Sequence, residues 1–193
     1  MTHPAPPAAT LAAKWQGRAQ RLRVPLGFVT ATLFLVLARP TPLGLTVGAG
    51  ISLLGLGWRA WAAGHIRKDE VLTVLGPYRL TRNPLYLGSA LMMLGCLVAG
   101  APWPAALALA TLFVGIYWPV MQAEAKHLAK LFPDDYPAYA AQTPLFVPDL
   151  RRFGAAWRDG FDWTRYRHHR EYQAALGLLM VFVLLAVKLW RQG

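Results

Sequence analysis

Polar and apolar positions alternate along this chain in long blocks rather than residue by residue. Val24–Ala38, Leu43–Ala63, Leu85–Gly100, Pro104–Ala123 and Ala174–Val187 are apolar runs, and Arg59 is the one charge inside them. A bilayer-crossing helix needs about 20 such residues, so the first and last runs are short for a span. Tyr172, Lys188 and Trp190 flank the last run and can extend it by sitting at the interfaces. The pattern predicts an all-α, polytopic integral membrane protein with about five transmembrane helices. It divides into a basic tail (1–23), a helical hairpin (24–63), a core carrying two spans and the polar loops (64–171), and a closing span (172–193).

The gaps between runs carry turn chemistry. Residues 1–13 are rich in Pro, Ala and Thr and read as disordered, and Lys14, Arg18, Arg21 and Arg23 form a basic interfacial lead-in. The first apolar run opens only at Val24 and no convincing cleavage site follows it, so no signal peptide is expected. Arg39-Pro40-Thr41-Pro42 and Ala101-Pro102-Trp103-Pro104 are turns, and Pro119 is expected to bend the fourth helix near its polar end. That helix should continue through Glu124–Phe132 until Pro133-Asp134-Asp135 stops it, with Asp134 or Asp135 capping a short helix that bears Tyr136 and Tyr139. Thr143–Pro148 should be extended. Arg151–Tyr166 mixes Phe153, Trp157, Phe161 and Trp163 with arginines, as an interfacial segment does. Glycines 44, 48, 55 and 57 would let two helices approach closely.

Composition agrees. Of 193 residues, 55% are hydrophobic and only 15% charged, and the mean hydropathy is +0.32. An average soluble domain is about 25% charged. The net charge of +11 gathers in the gaps between apolar runs rather than along one soluble face, so no nucleic-acid partner is expected. Lys and Arg number four in the amino-terminal tail, four in 64–83 and eight in 124–171, against one, none and two in the other connections. The positive-inside rule puts the amino terminus and both large loops in the cytoplasm. The lone Cys96 precludes an internal disulfide and reads as a small buried residue. No Cys/His spacing fits zinc, and no Walker loop, dinucleotide fingerprint or nucleophile elbow is present.

One stretch concentrates chemistry: Gly76-Pro77-Tyr78-Arg79-Leu80-Thr81-Arg82-Asn83-Pro84-Leu85-Tyr86-Leu87-Gly88. Pro84 suits the first turn of a helix, whose free N–H groups can hold an anion. Arg79 and Arg82 add charge there, and arginine can grip a carboxylate with two parallel hydrogen bonds. Glu124 is the acidic residue nearest the end of the fourth span. Position alone leaves it open between a functional carboxylate and an ordinary helix-end one.

G-P-Y-R-x-x-R-N-P-x-Y-x-G resembles the signature through which the isoprenylcysteine carboxyl methyltransferase and phospholipid methyltransferase superfamily binds S-adenosylmethionine. Glu124-Ala125-Lys126-His127-Leu128, then Phe132, Tyr136 and Tyr139, is similar to its second signature, E-E-x-x-L followed by F-G-x-x-Y-x-x-Y. The likeness covers roughly Leu43 to Pro148. Three departures stand out: Asn83 and Glu70 where relatives carry histidine, and Ala125 in place of a second glutamate. His65 is a candidate substitute at the Glu70 contact, or a plain loop histidine.

The resemblance implies a membrane methyltransferase with S-adenosylmethionine as cofactor and a hydrophobic or lipid methyl acceptor. Its cofactor-binding set is His65, Glu70, Gly76, Pro77, Tyr78, Arg82, Asn83, Pro84, Tyr86, Leu87, Gly88, Glu124 and Tyr136, with Arg82, Asn83 and Glu124 catalytic. Arg82 and the helix-start N–H groups would take the cofactor's carboxylate, and Glu124 its amine or the acceptor. Tyr78, Tyr86 and Tyr136 would face the sulfonium. Acceptor classes stay open among carboxylate, amine, quinone-like lipid and thiol. Two alternatives stand beside this one: an NADPH-dependent membrane reductase of the sterol-reductase type, and a non-catalytic scaffold with a degenerate motif.

Overall fold

The computed structural model describes residues 25, 27–67, 70–168 and 171–192. The expected tail over 1–23 therefore lies outside the described residues. All regular structure among them is helical. Helix α1 (Gly27–Leu37) is followed by α2 (Pro42–Ala63), α3 (Pro84–Gly100), α4 (Trp103–Leu131), the short α5 (Tyr136–Gln142), α6 (Phe153–Arg158) and α7 (Trp163–His168), and finally α8 (Tyr172–Trp190).

Helices α2, α4 and α8, of 22, 29 and 19 residues, are long and apolar enough to cross a membrane. At 1.5 Å per residue α4 is about 43 Å long, more than the ~30 Å hydrocarbon layer, so its last turns leave the bilayer. Helices α1 (Gly27–Leu37) and α3 (17 residues) are shorter than a full span. Leu53, Leu54, Leu107, Val114, Leu176 and Val183 point outward from the long helices. In water such a surface would drive aggregation; in an integral membrane protein the lipid covers it.

Helices α2 and α3 form an antiparallel pair in backbone contact. A Cβ on Gly44 would meet the Val98 and Ala99 carbonyls, one on Gly48 the Gly95 carbonyl, and one on Gly55 the Met92 amide and Gly88 carbonyl. Small residues four apart let the backbones close in, and close packing is what drives helix association in lipid. Ser52, fully buried in this seam, donates to the Met92 carbonyl at 3.1 Å. Gly57 faces open space and takes no part in the seam.

At one end of the bundle, Phe34, Ala38, Leu97, Ala99, Leu109 and Leu185 form a small core where α1, α3, α4 and α8 meet. The turn into α2 closes there: Arg39 N–H donates to the Gly100 carbonyl, and Thr41 caps α2 by accepting from Gly44 N–H at 3.0 Å. Lys188 on α8 donates to the Leu35 and Val36 carbonyls at the end of α1, as a cation suits a helix C-terminus. Pro119 lies inside α4, where its missing N–H leaves Gly115 without the usual donor. Asp135 occupies the capping position of α5, but its side chain makes no capping bond. Cys96 is half-buried.

Candidate functional site

At the opposite end, the 64–83 connection, the outer turns of α4 and the 143–168 segment converge on the start of α3. Gly76 opens a 3-10 turn (Gly76–Arg79) with φ +59°, a left-handed conformation that glycine adopts without strain. A Cβ there would also overlap the His65 ring. Gly76 N–H donates to Asp159 Oδ2 at 2.7 Å, and the Arg79 guanidinium donates to both oxygens of the same carboxylate. The Arg79 bond first, and the Gly76 N–H after it, hold the Asp159 carboxyl below its usual range. Arg79 is thereby engaged within the fold, and Arg82 is the cation left facing the second motif.

The stretch after α5, expected to be extended over Thr143–Pro148, instead bends at 143 and 145–147 as it zips onto residues 80–83. Asp149 N–H donates to the Leu80 carbonyl (2.8 Å) and Arg82 N–H to the Pro144 carbonyl (2.9 Å). Asn83 Nδ2 donates to the Leu145 carbonyl at 2.9 Å, and Thr81 Oγ1 reaches the same oxygen. Asn83 is buried, and Pro84 behind it is fully buried at the first position of α3. The asparagine amide therefore ties the helix start to this crossing strand of chain.

Two motifs distant in sequence touch here. Arg82 Nη1 donates to the Tyr136 hydroxyl at 3.0 Å, with the guanidinium carbon 6.0 Å from the ring centroid. Tyr139 Oη donates to the Tyr78 carbonyl at 2.8 Å. Tyr78 and Tyr136 are buried, at 7% and 6% exposure. Among the described residues the Tyr78 hydroxyl and Arg82 Nε are buried without a hydrogen-bond partner. Native proteins leave few such groups unpaired, and a bound ligand is one reason for an exception. Burial foremost, then Tyr139, with smaller contributions from Glu171 and Glu124, pushes the Tyr78 hydroxyl well above its usual pKa. It stays protonated, a donor without a partner among the described residues. Glu124 is half-buried and has neither hydrogen bond nor ion pair among the described residues.

A second cluster borders the first. Arg59, the lone charge in α2, donates through Nε and Nη2 to the two oxygens of Glu171 (2.9 and 2.8 Å), and through Nη1 to Ser89 Oγ and the Leu85 carbonyl. Gly88 makes this possible, since a Cβ there would overlap the Arg59 stem. Sequence reasoning picked out neither Arg59, Asp159 nor Glu171 as a site residue. A lone arginine within an apolar run was a usable signal for the first. For the two acids no local signal exists.

The other expected site residues are scattered around this centre. His65 is buried, its Nδ1–H donating to the Trp61 carbonyl at 2.8 Å and its ring under Gly76. Pro77 is fully buried within the turn. Tyr86 packs edge-on against Tyr117 of α4, with ring centroids 5.4 Å apart, and Leu87 N–H closes the first turn of α3 on the Asn83 carbonyl. Glu70 is exposed on the rim of a groove of about 430 Å³, which Phe132, Asp135 and Tyr139 also line. Tyr139 is thus the wall between that groove and Tyr78. Among the described residues no three His, Cys, Asp or Glu side chains gather as a metal site would require.

The phospholipid methyltransferase family profile matches residues 46–135, which covers α2 from its second turn, α3, α4 and the connections between them. Over 150 residues the chain is 36% identical to the cobalt-zinc-cadmium resistance protein CzcN of Cupriavidus metallidurans, an alignment covering 74% of this chain and 67% of that protein. It is 37% identical over 114 residues to the nickel-cobalt-cadmium resistance protein NccN of Alcaligenes xylosoxydans xylosoxydans, covering 56% of this chain and about half (52%) of that one. No solved structure matches.

Proposed function

The chain belongs to the phospholipid methyltransferase family, and from that premise we propose that it moves a methyl group from S-adenosylmethionine to a hydrophobic or lipidic acceptor at the cytoplasmic face of the membrane. The observation that carries this reading is the junction of the two motifs, Arg82 on Tyr136 and Tyr139 on Tyr78, beside the unpaired Glu124. Its donor set suits a zwitterion. Arg82 presents a buried Nε–H for a carboxylate, Glu124 has free oxygens for an ammonium, and tyrosine faces suit a sulfonium. When bound, the cofactor supplies an activated methyl group on positively charged sulfur.

The protein's own part is to bind, orient and exclude water. The zipped 80–83 and 144–149 segments fix the backbone at Arg82, and its bond to Tyr136 orients the cation before a ligand arrives. Preorganisation of this kind contributes to methyl transfer chiefly through alignment of donor and acceptor. Tyr78, held protonated by its surroundings, can donate a hydrogen bond inside the site but cannot act as a base. The acceptor would come sideways out of the bilayer, since α3 and α4 meet only through a few contacts such as Tyr86 on Tyr117. The metal names attach to the relatives; the polar groups gathered here fit an amino-acid zwitterion better than a transition metal.

Calorimetric titration of the protein in lipid nanodiscs with S-adenosylhomocysteine tests the proposal, with NADPH titrated in parallel. Micromolar binding of the first, lost in Arg82→Ala, is the expected result. Binding of NADPH alone, or of neither by protein with intact helicity, overturns it.

A further inference from the structure

Residues 150–168 pack against the last turn of α2. Phe153 and Trp157 pack edge-on against Trp61, in the last turn of α2, with centroids 5.7 and 5.6 Å from it. Phe161 lies on Gly64, the residue that ends α2, and Asp162 N–H donates to the Gly64 carbonyl at 3.2 Å. Just beyond the segment, Glu171 is bound to Arg59 at the start of α8. Both flanks are therefore tied to the polar end of α2, one through Gly64 and the other through Arg59.

What the segment shows outward is amphipathic. Leu150, Trp157 and Trp163 are 61%, 67% and 66% exposed. Arg151, Arg158 and Arg167 are exposed and have no ion-pair partner among the described residues, whereas Arg152 and Arg165 pair with Asp149 and Asp162. Tryptophan rings beside unpaired arginines, at the level where a span emerges, match the boundary of acyl chains and acidic headgroups. We propose that residues 150–168 lie in the headgroup layer and bind anionic phospholipid. Charge complementarity and continuity with α2 and α8 favour lipid over a soluble acidic partner, which would have to reach into the bilayer surface. Asp159, in the middle of this segment, holds Gly76 and Arg79, so the lipid contact is mechanically joined to the motif turn. The inference rests on the membrane fold and is independent of the methyl-transfer reading.

The test uses the full chain in nanodiscs of phosphatidylcholine, with and without phosphatidylglycerol. Brominated phosphatidylcholine should quench the emission lost between wild type and Trp163→Phe, and acrylamide should not. Native mass spectrometry should find retained phosphatidylglycerol, falling by about fivefold for each arginine removed in the series Arg151→Gln, Arg158→Gln, Arg167→Gln, as expected for one cation near an anionic surface. Because these side chains have no ion-pair partners among the described residues, the variants should keep wild-type helicity. Acrylamide quenching without bromolipid quenching, or unchanged phosphatidylglycerol retention in the triple variant, overturns the proposal.

Discussion

Arg59 and Glu171, 112 residues apart, join α2 to the start of α8 by a two-point ion pair whose side chains are only 20% and 11% exposed. The same guanidinium reaches Ser89 and the Leu85 carbonyl, so three helices share one cation. Removing one partner strands a largely buried charge, which costs about 3 kcal/mol or more. Glu171→Gln and Arg59→Met should each lower the melting temperature in detergent. The double variant Arg59→Met/Glu171→Met should melt above either single one. If both singles melted like wild type, the pair would have no stabilising role.

The α2–α3 seam yields a contrast between glycines. Gly95→Ala would press a methyl group into Ser52 and the Gly48 carbonyl, and should destabilise by about 1–3 kcal/mol. Gly57→Ala meets open space and removes only backbone freedom, so it should be neutral or stabilising by up to about 1 kcal/mol. Denaturation of the two variants side by side reads this directly, and equal effects would contradict the packing.

Asp159 ties stability to pH. Its folded pKa is depressed, by Arg79 first and then by Gly76 N–H. A depressed carboxyl contributes stability above its unfolded value of about 3.9, and loses it as pH falls through the lower folded value. Asp159→Asn should therefore melt below wild type at pH 6, with the gap closing below about pH 4. A gap that stayed constant down to pH 2.5 would show that the carboxylate charge is not what matters.

Glu124 and Tyr78 should separate stability from ligand binding. Glu124 has no partner among the described residues, so Glu124→Gln should change stability by no more than about 0.5 kcal/mol. Tyr78→Phe deletes an unpaired buried hydroxyl and should be neutral or stabilising by about 1 kcal/mol. S-adenosylhomocysteine affinity should drop at least about tenfold in Glu124→Gln, which corresponds to about 1.4 kcal/mol. Unchanged affinity in a stable variant would remove Glu124 from the site.

Much of the architecture can be read from local sequence. The apolar runs, the start of α3 at Pro84, the extension of α4 to Leu131 and its stop at Pro133 all follow from residues within a few positions of each element. So does the close approach at Gly44, Gly48 and Gly55, where spacings of four and seven residues put small side chains on one helix face. Gly57 looked equivalent in sequence and is not, because it lies outside that spacing.

The partnerships at the polar end have a different origin. Arg79 and Arg82 stand three residues apart in one motif, yet Asp159 neutralises the first, and the second faces Tyr136. Asn83 carries an amide whose partner, the Leu145 carbonyl, comes from a stretch defined only by its prolines. Arg59 finds Glu171 across the bundle. Hydrophobicity and turn propensity act between near neighbours, so they are written along the chain and settle which segments become helices. A charged or hydrogen-bonding side chain takes whichever partner folding brings within about 3 Å, and that choice belongs to the tertiary structure.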